Sequence, residues 1–494
     1  MTLSPNEVRH ALTKVWPAGE LPRELPALPE RFEITSDSRQ ITPGDIFVAV
    51  PGSRFDGRDF IDKALEAGAG LVLAHAGEGD VTLSGRVLEL PYLTRRLGEL
   101  GRALFQQPDG PMVIGVTGTN GKSSVTHYIA ALSDALGTPA GVIGTLGVGR
   151  LGALRDSGLT TPGALAMHAA LGGLAHQGVQ RVALEVSSHA LDQSRLDGVD
   201  ITTGVFTNLS RDHLDYHGSM AAYAAAKAKL FRRTELELAV MNGDDPLVRL
   251  MLAGCDSGVR VLATGGDEAV TLRVVGWHPH SQGQEALIAT PEGEKTLSLA
   301  LMGRFNLDNV LLAMATLHGL GEPLDDLFDA AASLSPVSGR MEGYRQAGAP
   351  SVVVDYAHTP DALDNALRAL AGHAGRLWCV FGCGGERDTG KRAEMARVAE
   401  THADSVIVTD DNPRGEAAEE IRQAILAGFS AKAQPLEIPQ RAEAIAYAVR
   451  QAEPGDVILV AGKGHEPYQE INGVRHPYHD GEAVRAAFAA REAR

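Results

Sequence analysis

The sequence predicts an α/β protein of three domains in series: a small N-terminal α/β domain, a central domain on a mostly parallel sheet, and a C-terminal α/β domain. Three observations predict it. The chain has 494 residues, and at about 150 residues per domain it divides into about three. Short apolar runs alternate with helical patterns, the rhythm of parallel strands joined by helices. Two clusters of breaker residues interrupt that rhythm, QQPDGP at 106–111 and LSPVSG at 334–339, and they place the domains at 1–108, 109–337 and 338–494.

In the first domain residues 45–50 and 70–74 read as strands, and residues 60–67 and 93–105 as helices. The second domain opens with an apolar strand at 113–116, a glycine-rich turn and a helix at 123–136. Strands follow at 181–186, 204–208 and 238–242. The uncharged stretch 157–180 contains Pro162, His168, His176 and Gln177, so it reads as a loop leading into a buried helix rather than a membrane span. In the third domain strands at 351–355, 377–381, 405–409 and 457–461 are separated by helical stretches. No internal repeat or low-complexity tract interrupts the chain.

Composition narrows the class. Apolar residues at 44% and charged residues at 22% exclude intrinsic disorder. A net charge of −17 excludes a protein that holds nucleic acid or anionic membrane by general electrostatics. Anionic small molecules remain open where local cations or backbone N–H groups receive them. The three cysteines, Cys255, Cys379 and Cys383, cannot form a disulfide framework in this length, which points to the cytoplasm, and Cys379 and Cys383 are expected to be structural and buried. The start, MTLSPNE, has no cationic flank before an apolar run and does not read as a signal peptide.

The strongest local signal is MVIGVTGTNGKSS at 112–124. An apolar strand runs into glycines, a Gly-Lys-Ser triplet and a helix. There, loop N–H groups and the helix N-terminus cradle phosphates, Lys122 reaches the terminal phosphates, and the Ser123 hydroxyl ligates Mg2+. The usual pattern has a glycine where Val116 stands; the glycines here are Gly115, Gly118 and Gly121. The plain alternative is a glycine-rich turn with a surface lysine.

Glu185, in RVALEVSSH at 181–189, ends an apolar strand, where open α/β sheets bind ligands. Beside a phosphate loop it is a natural Mg2+ ligand; alone, such a residue is more often a cap or an ion-pair partner. FTNLSRDHLDYH at 206–217 places two histidines and two aspartates after another strand, suggesting metal or phosphate contact, although the spacing matches no zinc signature. By itself it reads as a polar loop. Three later clusters combine glycine, arginine and carboxylate: FGCGGERD at 381–388, TDDNPR at 409–414 and AGKGHE at 461–466. Arg387 and Arg414 suit carboxylates, while Asp411, Asn412 and Glu466 suit an ammonium, so together they fit a zwitterionic amino acid. Each cluster alone is an ordinary strand-to-helix loop.

Taken together, GVTGTNGKS at 115–123, EVSSH at 185–189, NLSRDH at 208–213, GRFNLDN at 303–309 and VDYAH at 354–358 resemble the Mur ligase family, ATP-dependent amide-forming ligases of bacterial peptidoglycan synthesis. The likeness runs in the family's order from about Ser36 to Glu466, nearly the whole chain. It implies a P-loop ATPase-like central domain and a Rossmann-like C-terminal domain. The sequence DNPR at 411–414 looks like the mark of the member that adds meso-diaminopimelate to UDP-N-acetylmuramoyl-L-alanyl-D-glutamate; lysine-adding relatives differ there.

The resemblance also implies roles. Ser36, Ser38, Ser53, Arg54 and Phe55 would contact the uridine diphosphate, and Thr160, Thr161, Ser187, Gln193 and Arg195 the sugar-peptide arm. Gly118, Thr119, Asn120, Gly121, Lys122, Ser123 and Ser124 would hold ATP, with Asn306, Asn309, Arg340 and Asp355 as further nucleotide contacts. Ser123, Glu185, His213 and Lys227 would serve Mg2+, Lys227 as a CO2-derived carbamate. Lys122, His213 and Lys227 would be the catalytic set. Unaided, the Ala-rich run YAAAKAK at 223–229 makes Lys227 a surface lysine. Arg387, Asp411, Asn412, Pro413, Arg414, Gly462 and Glu466 match the diaminopimelate site.

Two positions depart from the family: Ser123 and Ser124 stand where threonines are usual, and Leu159 stands where an asparagine can occur. Either serine hydroxyl still reaches Mg2+, whereas Leu159 forgoes a substrate hydrogen bond. The implied reaction phosphorylates the D-glutamate side-chain carboxylate and lets the amine attack the acyl phosphate. The expected partners are ATP, the UDP-N-acetylmuramoyl dipeptide and diaminopimelate, with no nucleic acid and no membrane, and the chain is expected to act as a monomer. Two rivals stay open: a relative such as folylpolyglutamate synthase, and a P-loop nucleotide switch that turns over without an amino acid.

Overall fold

The structure, a computed structural model, describes residues 2–52, 55–280, 283–371 and 375–492. Ser53 and Arg54, two of the residues assigned to the uridine diphosphate, lie outside the described residues. The chain divides into two compact units, one of residues 1–115 and 138–202, the other of 116–137 and 203–494.

The first unit begins with helix Pro5–Val15, whose start is fixed by a reciprocal Ser4–Glu7 capping box and a proline in the first turn. Its apolar side joins helix Leu93–Phe105 over a sheet ordered Ile34–Thr35, Ile46–Ala49, Leu71–Ala76, Val87–Pro91, Thr82–Ser84. The first four strands are parallel and the last is antiparallel. Leu3, Leu12, Trp16, Ile46, Leu71, Leu88, Leu100 and Phe105 form the core beneath these helices. Farther along the unit, strand Ala140–Gly144 pairs in parallel with Arg181–Glu185, and helix Ala164–His176 follows the loop expected at the start of the uncharged stretch. Helix Leu93–Phe105 lies tightly against the latter: a Cβ on Gly101 would meet the His168 ring at 2.7 Å, and one on Gly98 the Asp197 carbonyl oxygen at 2.2 Å.

Strand Ile201–Phe206, which enters the second unit at Thr203, runs parallel to Leu238–Asn242, and that strand to Arg260–Gly265. They continue into a meander, Leu272–His280, Gly283–Thr290 and Gly293–Leu299, whose successive pairs are antiparallel. A second sheet is ordered Glu342–Tyr344, Ser351–Asp355, Val457–Ala461, Leu377–Phe381, Ser405–Val408, Leu436–Glu437, parallel except for its first strand. The four inner strands are covered on both faces, which is why they read as unbroken apolar runs. Val353, Cys379, Phe381, Val408 and Leu459 face one core, and Val352, Val354, Val380, Ile407 and Ile458 the other. Cys379 and Cys383 are buried there as expected, their thiols pushed up by burial, Cys383 to about 12.

Candidate functional site

The phosphate loop follows from its glycines. Strand Met112–Thr117 ends at a loop in which Gly118 and Gly121 have φ of +154° and +85°, and helix Lys122–Ala135 begins directly after. No side chain is tolerated at either glycine: a Cβ on Gly118 would stand 1.8 Å from Thr207 Oγ1, and one on Gly121 2.5 Å from Asn309 Oδ1. The loop is held from behind by the strand end after Phe206. Thr119 N donates to the Asn208 carbonyl at 2.8 Å, Asn120 N to Asn208 Oδ1 at 2.9 Å, and Thr207 Oγ1 to the Asn120 carbonyl at 2.5 Å. Ser123 and Ser124 occupy the first helical turn, both buried.

Cations converge on that loop. Lys122 Nζ donates to the carbonyls of Gly118 and Thr119 at 2.9 and 2.8 Å. Arg340 Nη2 donates to Ser123 Oγ at 3.3 Å, its guanidinium lies 4.4 Å from the Tyr356 ring centroid, and its buried Nε has no partner among the described residues. Asp355 is buried, and its carboxylate accepts from the N–H groups of Met341 and Ala357, so it fixes the backbone beside Arg340. Asn306 is spent on Tyr128 OH and the Met302 carbonyl, while Asn309 lies against Gly121.

Lys227 corrects the unaided reading. It is 1% exposed rather than a surface lysine, with Nζ donating to the Gly118 carbonyl at 2.7 Å and standing 4.6 Å from the Tyr223 ring centroid. Burial, and next the charge of Lys122, hold its amine well below the usual lysine range. His213, at φ +52°, lies 3.3 Å from Asp212; burial brings it down to about 4, against the Asp212 charge.

On the second sheet of the same unit the three late clusters meet. Asn412 Nδ2 donates to Glu466 Oε2 at 2.7 Å, and a Cβ on Gly462 would meet Asp411 Oδ2 at 2.5 Å. Asp411 is buried and its carboxyl is lowered overall: burial, the largest influence, raises it, and Lys463 with Arg441 outweigh that. Arg414 Nη1 donates to the Gly385 carbonyl at 2.8 Å, and the Pro413 carbonyl crowds Gly385 so closely that a Cβ there would stand 2.0 Å away. Arg387 is exposed on the same loop. Sequence reasoning passed over Lys463, a fully buried cation between Asn412 and Glu466, and Tyr356, the platform under Arg340. Their neighbours within AGKGHE and VDYAH were the signal.

The first unit carries its own network. Thr145 N donates to Glu185 Oε1 at 2.9 Å, and its hydroxyl lies 3.0 Å from Thr160 Oγ1. Thr161 Oγ1 donates to the Glu185 carbonyl at 2.7 Å and accepts from Ser187 N at 3.1 Å. Arg195 donates to the Thr161 carbonyl at 3.0 Å and to Gln193 Oε1 at 2.6 Å. Six residues named from sequence thus form one connected set with Thr145: Thr160, Thr161, Glu185, Ser187, Gln193 and Arg195. Ser36 and Ser38 flank Asp37, and Phe55 presents a ring that is 73% exposed. Leu159 is exposed beside Thr160.

The residues fit the groups expected of them. A loop closed to any side chain at two glycines, ending on a helix N-terminus with Lys122 and a half-satisfied Arg340, has the N–H and cationic donors that a polyphosphate would require. Among the described residues no three His, Cys, Asp or Glu side chains gather to hold a metal alone. Buried Ser123 and Glu185 carry oxygen donors, the ligand type that Mg2+ takes beside waters and phosphate oxygens.

Family models described as Mur ligase family, catalytic domain, Mur ligase middle domain, and Mur ligase, glutamate ligase domain match residues 33–103, 116–317 and 339–464. The UDP-N-acetylmuramoyl-L-alanyl-D-glutamate–2,6-diaminopimelate ligase of Pseudomonas aeruginosa is 47% identical over 93% of this chain and 95% of its own. That of Xanthomonas campestris is 44% identical over 97% and 98%. The chain belongs to the Mur ligase family. A solved structure of a ligase of the same name aligns over 100% of both chains, with TM-score 0.66 and 36% identity. The three-domain Mur ligase fold, with mostly parallel sheets, is therefore the fold of this protein, and as a Mur ligase it is an ATP-dependent ligase acting on small molecules. Among the described residues no helix is long and apolar enough to cross a membrane.

Proposed function

We propose that this Mur ligase adds meso-2,6-diaminopimelate to the D-glutamate side-chain carboxylate of UDP-N-acetylmuramoyl-L-alanyl-D-glutamate, with ATP cleaved to ADP and phosphate. The observation that carries the reading is the near full-length match, at 44 to 47% identity, to ligases named for that reaction. The meeting of Asp411, Asn412, Gly462 and Glu466 beside Arg414 supports the amino-acid half of it. Residues 1–108 receive the UDP-sugar through Ser36, Ser38, Ser53, Arg54 and Phe55, residues 109–337 ATP, and residues 338–494 the amino acid. Thr160, Thr161, Ser187, Gln193 and Arg195 hold the sugar-peptide arm.

A carboxylate and an ammonium do not condense in water, so the carboxylate is activated first. A carboxylate oxygen bonds to the γ-phosphorus of ATP as the bridge to ADP breaks. The neutral amine then attacks the acyl carbon, phosphate leaves, and the nitrogen loses a proton. The protein's share is positioning and charge neutralisation. Lys122 and Arg340 leave their present acceptors for phosphate oxygens, and the loop N–H groups replace lost water. Asp411 and Glu466 hold an ammonium of the amino acid, while Arg414 and Arg387 take its carboxylates. Ser123, Glu185, His213 and a carbamate on Lys227 are the residues that would serve Mg2+, whose chemistry would be to offset the negative charge of phosphate and carboxylate.

The carbamate is the form the family resemblance implies for Lys227, and a lowered amine pKa favours it. In its neutral form such an amine attacks CO2 and loses a proton, turning a cation into an anionic oxygen donor. We place the protein in the cytoplasm as a monomer; the free thiols of Cys255, Cys379 and Cys383 and the nucleotide substrates support the compartment. Phosphate release, measured with each substrate omitted in turn, tests the function. Dependence on all three is expected; release without amino acid would mark a nucleotide switch, and release with a folate in place of the UDP-peptide a folylpolyglutamate synthase.

A further inference from the structure

Lys463 takes no part in the proposed reaction, yet it is 0% exposed and donates to two residues of the amino-acid site. Its Nζ donates to Asn412 Oδ1 at 2.8 Å and to Glu466 Oε2 at 2.9 Å. Asn412 Oδ1 also accepts from Glu470 N at 3.0 Å, and Asn412 Nδ2 donates to the same Glu466 Oε2 at 2.7 Å. Two donors on Oδ1 leave one orientation for the Asn412 amide, the one that turns its NH2 toward Glu466. Glu466 Oε2 is then occupied twice, and among the described residues no hydrogen bond reaches Oε1.

We infer that Lys463 is a positioning residue for amino-acid recognition: by locking Asn412 and Glu466 Oε2, it fixes the carboxylate so that Oε1 alone is presented to an ammonium of the incoming amino acid. The inference rests on the function proposed above and names what specifies its amino-acid site. Placing a cation beside a carboxylate that must receive another cation looks self-defeating. Charge resolves it: Asp411 supplies a second buried anion next to Lys463, so Lys463, Glu466 and Asp411 together carry one net negative charge, which the arriving ammonium offsets. The arriving ammonium finds one uncommitted oxygen at fixed geometry rather than a carboxylate free to rotate. Holding that rotamer in advance removes an ordering cost from binding.

Lys463→Met tests this, with steady-state constants measured for all three substrates. The expected result is a KM for diaminopimelate raised about tenfold or more, the cost of losing charged hydrogen bonds, with the KM values for ATP and the UDP-peptide unchanged. Combined with Asn412→Ala, the Lys463 substitution should add less than its separate effect, because it acts through that amide. A purely structural lysine would instead lower kcat and raise all three KM values together, and that outcome, or full additivity, overturns the inference. Should Lys463→Met not fold, Lys463→Gln keeps a donor for Asn412 without the charge; a KM rise confined to diaminopimelate supports the inference and an unchanged KM overturns it. If wild-type protein does not consume diaminopimelate at all, the function itself is wrong; if wild type works and neither variant shifts that KM, only the role of Lys463 falls.

Discussion

Lys122 and Lys227 share one acceptor: both ammonium nitrogens donate to the carbonyl oxygen of Gly118, at 2.9 and 2.7 Å. Two cations on one oxygen, one of them fully enclosed, cannot both keep full charge at low cost. Burial and the charge of Lys122 both lower the Lys227 amine. A neutral buried amine is the form that reacts with CO2. Lys227→Ala is therefore expected to abolish turnover, and added formate or acetate to restore part of it by supplying the missing carboxylate. Undiminished activity in the alanine variant would remove the carbamate from the mechanism.

Gly118 allows a sharper test of the loop. With φ at +154° and a would-be Cβ 1.8 Å from Thr207 Oγ1, alanine there requires the loop or the strand end behind it to move. Gly118→Ala is expected to lose at least about 2 kcal/mol of nucleotide binding, roughly thirtyfold in affinity, read by calorimetric titration with ADP. Gly77→Ala, where nothing lies within 4 Å of the added carbon, is the matching control and should bind as wild type.

Strands 351–355, 377–381 and 457–461 were legible to the residue because both faces are buried and turn clusters close each end. The phosphate loop was legible because its glycines, lysine and serine are chemically obligatory. The antiparallel meander at 272–299 was passed over: Trp277, His278, Pro279 and His280 are exposed, so no apolar alternation marks that strand. Lys227 and Lys463 escaped unaided reading for a common reason. Burial of a lysine is decided by what packs over it from distant sequence, and Gly118 and Asn412 lie far along the chain from them.

Buried histidines set a pH dependence of stability. His358 is held at about 4 and His465 at about 3, chiefly by burial, with Lys391 next for the first and Arg340 next for the second. Unfolded, both titrate near 6.5. Above that pH neither state binds the proton, so stability is flat. Below it the unfolded chain takes up protons that the native state refuses, and stability falls toward the folded values, by about 1 kcal/mol per histidine for each pH unit. Asp355, raised by burial, works the other way at lower pH, where the native state holds the extra proton. Urea denaturation about two pH units apart across 6.5 should show lower stability on the acid side. His465→Asn should shrink that difference; an unchanged difference would show that His465 is not its source.

Diaminopimelate and lysine differ by one carboxylate, and Arg414 is the residue placed to tell them apart. Arg414 is pinned at φ +53° by its own backbone, its N–H donating to the Glu470 carbonyl at 3.0 Å and its carbonyl accepting from Asn472 at 2.7 Å. Its Nη1 is anchored on Gly385, and among the described residues no hydrogen bond engages its other guanidinium nitrogens. A planar fork with one donor fixed and the rest uncommitted suits the carboxylate at the far stereocentre, the group lysine lacks. Removing it costs roughly 1.5–3 kcal/mol, about ten- to hundredfold in kcat/KM for diaminopimelate, while kcat/KM for lysine should hardly change. Arg414→Lys keeps the charge but not the fork and should recover only part of the preference. The measurement is kcat/KM for both amino acids in wild type and both variants. If Arg414→Ala still prefers diaminopimelate by the wild-type ratio, discrimination lies elsewhere, and Arg387, exposed on the facing loop, is the next residue to change.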